Sequence, residues 1–334
     1  MIISVIFVLL FLAFLMGIIL VPKIDGKINM IKVAVMGIMA IFCYQSFWAF
    51  MFQLVGIPVN LKSTCISMAA AVLLLWGMII KKKKMQRIFV RITDIAVLAV
   101  LAGIVIAVSL HMFTPYLRLS YINSDPANHF NDAMVIVKQG VLGKHIYFSA
   151  FVNAMFIEIF SPILIVSKYY KAFIFADIFM HVLEVWMCYV LMLTVSEKKI
   201  VRIFAPVFAL GYFWGYPAYS YMTGGFVYWS IGVMILMLLV YALLLLERYP
   251  KNYKCNVILL LFALYANTCC NALFIPLNSA AVILALFVLA IRQKKINKKM
   301  IAGFLVVVVI AAAAVFVLFL SLIHISEPTR RTPI

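Results

Sequence analysis

The chain has only ten acidic residues and five histidines among its 334, so proton chemistry has few places to reside. One cluster occupies residues 121–132, Tyr-Ile-Asn-Ser-Asp-Pro-Ala-Asn-His-Phe-Asn-Asp. It holds Asp125, His129 and Asp132 together with the amides Asn123, Asn128 and Asn131. Polar groups that dense between apolar runs need water or a ligand to satisfy them. The second cluster is Asp177, His181 and Glu184, spaced i, i+4 and i+7 inside an apolar run and therefore on one helical face. Ionisable groups in such a run are costly and face one another or a cavity. The trio reads either as a mutually satisfied packing cluster or as a proton path. Glu158, in the preceding apolar run, is expected to face the same polar interior.

The elements that must position these groups are membrane helices. Hydrophobic residues make up 67% of the chain, charged residues 11%, and mean hydropathy is +1.17, values outside the range of an ordinary soluble domain. Apolar segments long enough to cross a hydrocarbon core recur at roughly 2–21, 31–55, 64–80, 92–113, 146–166, 170–194, 203–222, 225–246, 256–275, 277–292 and 300–322. They are continuous rather than alternating, which excludes a membrane β-barrel. The expectation is an all-α, polytopic transmembrane bundle at the cell membrane. It divides into N-terminal spans (1–113), an outer loop with a juxtamembrane helix (114–145), a second set of spans (146–322) and a tail (323–334).

The net charge of +18 does not imply nucleic acid. The cations fall in short clusters between spans (Lys81 to Lys84 with Arg87, Lys198 with Lys199 and Arg202, Arg248 with Lys251 and Lys254, Arg292 to Lys299), the pattern of cytoplasmic loops. Membrane lipids with anionic headgroups are their natural partners. Placing these clusters inside puts the amino terminus and residues 114–145 outside. A parity conflict follows, because two apolar runs, 146–166 and 170–194, lie between the outer loop and Lys198. Either 141–166 is partly interfacial or re-entrant, broken at Ser161-Pro162, or a basic cluster violates the positive-inside pattern; the agreement of three clusters favours the first.

Residues 127–139 read as a short amphipathic helix on the outer surface, with Phe130, Met134 and Val137 on one face and Asn128, Asp132 and Gln139 elsewhere. Asp125-Pro126 suits its start, with Pro126 at the first helical position and Asp125 as a cap. A helix cap and a catalytic carboxylate are both open roles for Asp125. The Gly215–Gly225 stretch, with Tyr219 and Tyr221, is either an interfacial aromatic belt or a wall for a sugar or lipid headgroup. Asn267, Thr268, Asn271 and Asn278 suit hydrogen bonds between helices. The six cysteines read as buried packing thiols, and the apolar first 21 residues as a retained first span rather than a removed signal. Nucleotide-binding, metalloprotease and serine-hydrolase motifs are absent. The final stretch, Ser-Leu-Ile-His-Ile-Ser-Glu-Pro-Thr-Arg-Arg-Thr-Pro-Ile, has the look of a non-native read-through.

Tyr121-Ile-Asn-Ser-Asp-Pro-Ala-Asn-His-Phe130 after span 92–113 is similar to the first long outer loop of the GT-C superfamily, polytopic glycosyltransferases that use polyprenyl-phosphate-linked sugars. The resemblance covers roughly residues 92–290. It implies transfer of a sugar to an acceptor hydroxyl at the outer face, with Asp125 in the place of the family's catalytic acid and acting as general base. His129 would orient that carboxylate or the acceptor. Asn123, Asn128 and Asp132 would bind substrate with Tyr219 and Tyr221, and Arg118, Lys138 or Lys144 would neutralise the lipid-phosphate leaving group. Two features depart from the family pattern: several spans precede the loop, and no second acidic pair of the metal-binding kind is present. The sequence fixes no cofactor or metal site, and a divalent cation is compatible with it. The alternative is a transporter or flippase using Asp177, His181 and Glu184 as an intramembrane relay.

Overall fold

The computed structural model describes residues 2–22, 27–81, 87–112, 125–142, 148–196, 198–218, 230–248 and 253–270, with 278, 280–282, 305 and 309. Within them the chain is helical almost throughout: α1 (Ile2–Leu20), α2 (Met30–Leu54), α3 (Leu61–Lys81), α4 (Ile92–Met112), α5 (Asp125–Gln139), α6 (Phe148–Phe160), α7 (Tyr169–Val195), α8 (Lys199–Phe213), α9 (Ser230–Arg248) and α10 (Tyr253–Cys270). Four helical stretches, Met30–Leu54, Leu61–Ile79, Ile92–Met112 and Val166–Val195, are long and apolar enough to cross a membrane. Ser4–Leu20, Phe148–Phe160, Gly232–Leu246 and Asn256–Asn267 are apolar but shorter. The expected spans 277–292 and 300–322 and the tail lie outside the described residues. Large apolar side chains on α3 and α4 stay uncovered, Leu73 at 72% and Ile92 at 82% exposure. A surface of that kind suits lipid rather than water.

Local chemistry explains where the helices begin. Asn29 caps α2, its Oδ1 accepting from the backbone N–H of Ile31 at 2.9 Å and of Lys32 at 3.4 Å. Asn60 and Ser63 cap α3 reciprocally: Ser63 N–H donates to Asn60 Oδ1 and Asn60 N–H to Ser63 Oγ, both at 3.1 Å. Glu158 does not face the Asp177 cluster as the sequence suggested. Its Oε2 accepts the Leu61 N–H at 2.7 Å, adding a carboxylate to the positive end of α3.

One end of the bundle gathers a cluster of basic residues, among them Lys27, Lys198, Lys199 and Arg202. There β1 (Lys27–Asn29) and β2 (Arg87–Phe89) form a parallel pair with Lys27 opposite Arg87, a small sheet the sequence pattern did not announce. At the same end Lys32 Nζ donates to the Leu193 carbonyl at 3.3 Å, and Arg202 Nη1 meets Asp94 Oδ1 at 2.8 Å. Ring contacts of Phe47 with Phe262 and of Phe50 with Tyr265 run α10 parallel to α2. The α9–α10 hairpin, closed by Asn256 Nδ2 on the Leu245 carbonyl, therefore turns toward the basic end as well. Farther along, Asn267 Nδ2 donates to Asn278 Oδ1 at 2.6 Å, the side-chain hydrogen bonding expected there.

Helix α6 is short and does not run the length of the bundle. Its first residue, Phe148, packs edge-on against Phe42, 12 residues short of the far end of α2 and so about 18 Å below it. Its last turns lie at that far end, where Thr64 Oγ1 meets Met155 Sδ and Glu158 holds Leu61. Ser161–Leu164 turn back on carbonyls of Ile157 and Phe160. The segment thus climbs from mid-bundle to the far end, and α7 alone then runs the full length to the basic end.

Helices α1 and α2 meet backbone to backbone. A Cβ added at Gly37 would overlap the carbonyl oxygen of Ala13, and one at Gly17 that of Val33. Small residues permit this approach, which supplies packing that lipid-like side chains cannot. Gly37→Val is therefore expected to destabilise the protein by about 1–3 kcal/mol through separation of the two helices. Gly103→Val, where a side chain would meet nothing within 4 Å, should leave it unchanged, and thermal unfolding in detergent compares the two.

Candidate functional site

Helix α5 carries the first cluster. It opens on Asp125 itself, one position earlier than the sequence pattern indicated, which places an acid at the helix N-terminus, where it is favourable. The side chains of Asp125 and Pro126, and Arg118, Asn123, Lys144, Tyr219 and Tyr221 altogether, lie outside the described residues. Of the others, Asn128, Asn131 and Lys138 are exposed, and His129 and Asp132 are half-buried. Asp125 and His129 stand one turn apart on the same side of the helix.

The apolar face of α5 is buried against protein rather than laid on a surface. Ala133 and Ile136 are fully covered, Met134 nearly so, and Phe130 and Val137 complete the stripe. Phe130 meets Phe173 of α7 edge to face, with ring centroids 5.6 Å apart. At the other terminus Gly140 adopts φ +65°, its N–H donating to the Ile136 carbonyl at 2.8 Å and its carbonyl accepting the Val59 N–H at 2.7 Å. The Leu142 N–H then donates to Gln53 Oε1 at 3.0 Å. The helix is held at Phe130 and at Gly140, both at the far end from the basic cluster. Gly140→Ala would force an alanine into the left-handed region, with its Cβ 3.1 Å from that of Pro58. A loss of about 1–2 kcal/mol is expected, measurable as a lower unfolding midpoint.

The second cluster lies inside α7, one turn beyond Phe173. His181 and Glu184 are fully buried and Asp177 nearly so. His181 Nδ1 is 2.9 Å from Glu184 Oε2, and Nε2 is 3.6 Å from Asp177 Oδ2. The helical spacing does bring the three together. From α8 comes a group the sequence reading missed, Tyr212, whose hydroxyl lies beside Glu184. Its ring is followed by that of Tyr216, 6.1 Å away, in a π-helical stretch, Trp214–Ala218, that contains Pro217. Tyr212 and Tyr216 at i, i+4 just before a proline were the available signal. Such π turns concentrate at functional sites.

A third polar group, at the basic end, was also missed. Asp94, 2% exposed, accepts from the Tyr189 hydroxyl at 2.9 Å and from Arg202 at 2.8 Å. An acid three residues after Arg91 at the head of an apolar run was its only trace in the sequence. An apolar cavity of about 220 Å³ lies on the other side of the bundle, between α1, α2, α3 and α10, lined by Leu20, Cys43, Tyr44 and Phe262 among others. It touches neither cluster. Among the described residues no three His, Cys, Asp or Glu side chains are grouped to hold a metal ion.

No family model, curated protein or solved structure matches this chain.

Proposed function

We propose that the chain is a cell-membrane glycosyltransferase of the GT-C kind, moving a sugar from a polyprenyl-phosphate donor to an acceptor hydroxyl at the outer face. The observation that carries this reading is the placement of α5. A helix opening on Asp125 is held to the bundle through Phe130 on Phe173 and Gly140 on Val59, at the end away from the cluster of Lys27, Lys198, Lys199 and Arg202. With those residues inside, Asp125 belongs to the outer side, where a lipid-borne sugar would be met.

The chemistry is that of a carboxylate base. Attack of the acceptor oxygen on the anomeric carbon forms one C–O bond and breaks the bond to the phosphate oxygen. Asp125 takes the hydroxyl proton. His129, on the same side of α5, orients the base or the acceptor. Asn123, Asn128 and Asp132 contact sugar or acceptor hydroxyls, with Tyr219 and Tyr221 stacking against them. Arg118, Lys138 and Lys144 meet the departing phosphate. A divalent cation is compatible with Asp132 but is not required by this scheme.

Purified protein in vesicles, given polyprenyl-phosphate sugars with the sugar labelled, should transfer label to an added acceptor. A folded protein that transfers from none of these donors would end the proposal.

A further inference from the structure

We infer that Asp177, His181 and Glu184 form a proton-binding site in the interior of the bundle, in which the His181 imidazole passes a proton between the two carboxylates. This inference is independent of sugar transfer, since the site lies within α7 and shares no residue with α5.

Three observations carry it. First, the side chains are 0–6% exposed, so water does not screen them. Second, the charged groups that act on His181 are the two carboxylates, and two carboxylates with one imidazole hold excess negative charge that a low-dielectric interior penalises. Third, the Tyr212 hydroxyl from α8 lies beside the Glu184 carboxylate, so the cluster continues from α7 to a hydroxyl on a neighbouring helix.

The geometry gives the transfer its order. A proton on Asp177 Oδ2 passes to His181 Nε2 as the O–H bond breaks and the N–H bond forms. The resulting imidazolium releases the proton on Nδ1 to Glu184 Oε2, leaving neutral imidazole and a protonated Glu184. The 2.9 Å contact is already a hydrogen bond, whereas the 3.6 Å contact closes by a small rotation of either side chain.

The titratable groups facing the site are Cys188 on α7 and Tyr212 with Tyr216 from α8 and its π-helical extension. Among the other helices against α7, α5, which meets it through Phe130 on Phe173, carries His129 and Asp132, and α9 carries the buried Tyr241. Asp94 of α4 is engaged by Tyr189 and Arg202, Glu158 of α6 by Leu61, and Lys32 of α2 by Leu193.

A lipid-soluble carbodiimide tests the assignment, because it adds to a protonated carboxyl to leave a stable N-acylurea that peptide mass mapping locates. The full chain in vesicles should be modified at Glu184 or Asp177, increasingly as pH falls. Modification at the mapped position should be lost in Glu184→Gln or Asp177→Asn respectively, and the second variant carries the readout if the first fails to fold. In His181→Gln the pH profile of modification should be displaced, an effect that a purely structural histidine would not produce. Absence of modification at both carboxylates at every pH would overturn the inference, as would an unchanged profile in His181→Gln.

Discussion

Asp125→Asn, at unchanged protein level, is expected to lower sugar transfer by about 10²–10⁴-fold, the contribution of a positioned general base. The amide keeps the size and hydrogen-bonding reach of the carboxylate but cannot take the acceptor proton. The loss should therefore fall on kcat, with KM for the donor little changed. Asp125→Glu keeps the base but moves it by a methylene, so an intermediate rate is expected. His129→Gln should cost less than Asp125→Asn, since the histidine acts through the carboxylate or the acceptor. Steady-state transfer assays on these variants, with unfolding midpoints as controls, separate loss of chemistry from loss of fold.

The largest structural effect is expected at the basic end. Arg202→Leu leaves the Asp94 carboxylate, 2% exposed, with Tyr189 as its one remaining hydrogen-bond donor in this group. Removing one partner of a buried ion pair costs on the order of 3–5 kcal/mol. The pair joins α4 to α8 across 108 residues of sequence, so the variant should loosen both helices together. The double variant Asp94→Leu/Arg202→Leu should recover most of the loss, because an apolar pair of similar volume carries no stranded charge. Unfolding in detergent of the two single variants and the double gives the coupling directly.

What the sequence could reveal depended on how local each signal was. The Asp177–His181–Glu184 face followed from helical periodicity alone, since i, i+4 and i+7 coincide on any α-helix. The amphipathic stripe of α5 was legible for the same reason, although the pattern could not tell whether lipid or protein would cover it; Phe173 and α6 do. Counting basic clusters favoured one apolar run that does not cross in full, and α6, which begins beside Phe42 and ends beside Leu61, is a helix of only 13 residues.

Contacts between distant segments were not legible. Arg202 read only as a member of the Lys198–Lys199 basic cluster and Asp94 drew no reading at all, because pairing over that separation leaves no periodic trace. The β1–β2 pair arises where two loops are brought side by side by the helices around them, and three-residue strands carry almost no pattern of their own. Glu158 was placed with the wrong neighbours for a related reason. Its spacing from Asp177 is meaningless across a chain reversal, and its true partner is a backbone N–H 97 residues away.

The central claim is that Asp125 removes the acceptor proton during transfer from a lipid-linked sugar. Its most direct test is a single-turnover measurement of polyprenyl phosphate released in vesicles holding either the unaltered protein or Asp125→Asn, each with bound donor and an added acceptor. The account predicts acceptor-dependent release by the unaltered protein and release near the protein-free level by the variant. Equal release by the two would contradict it.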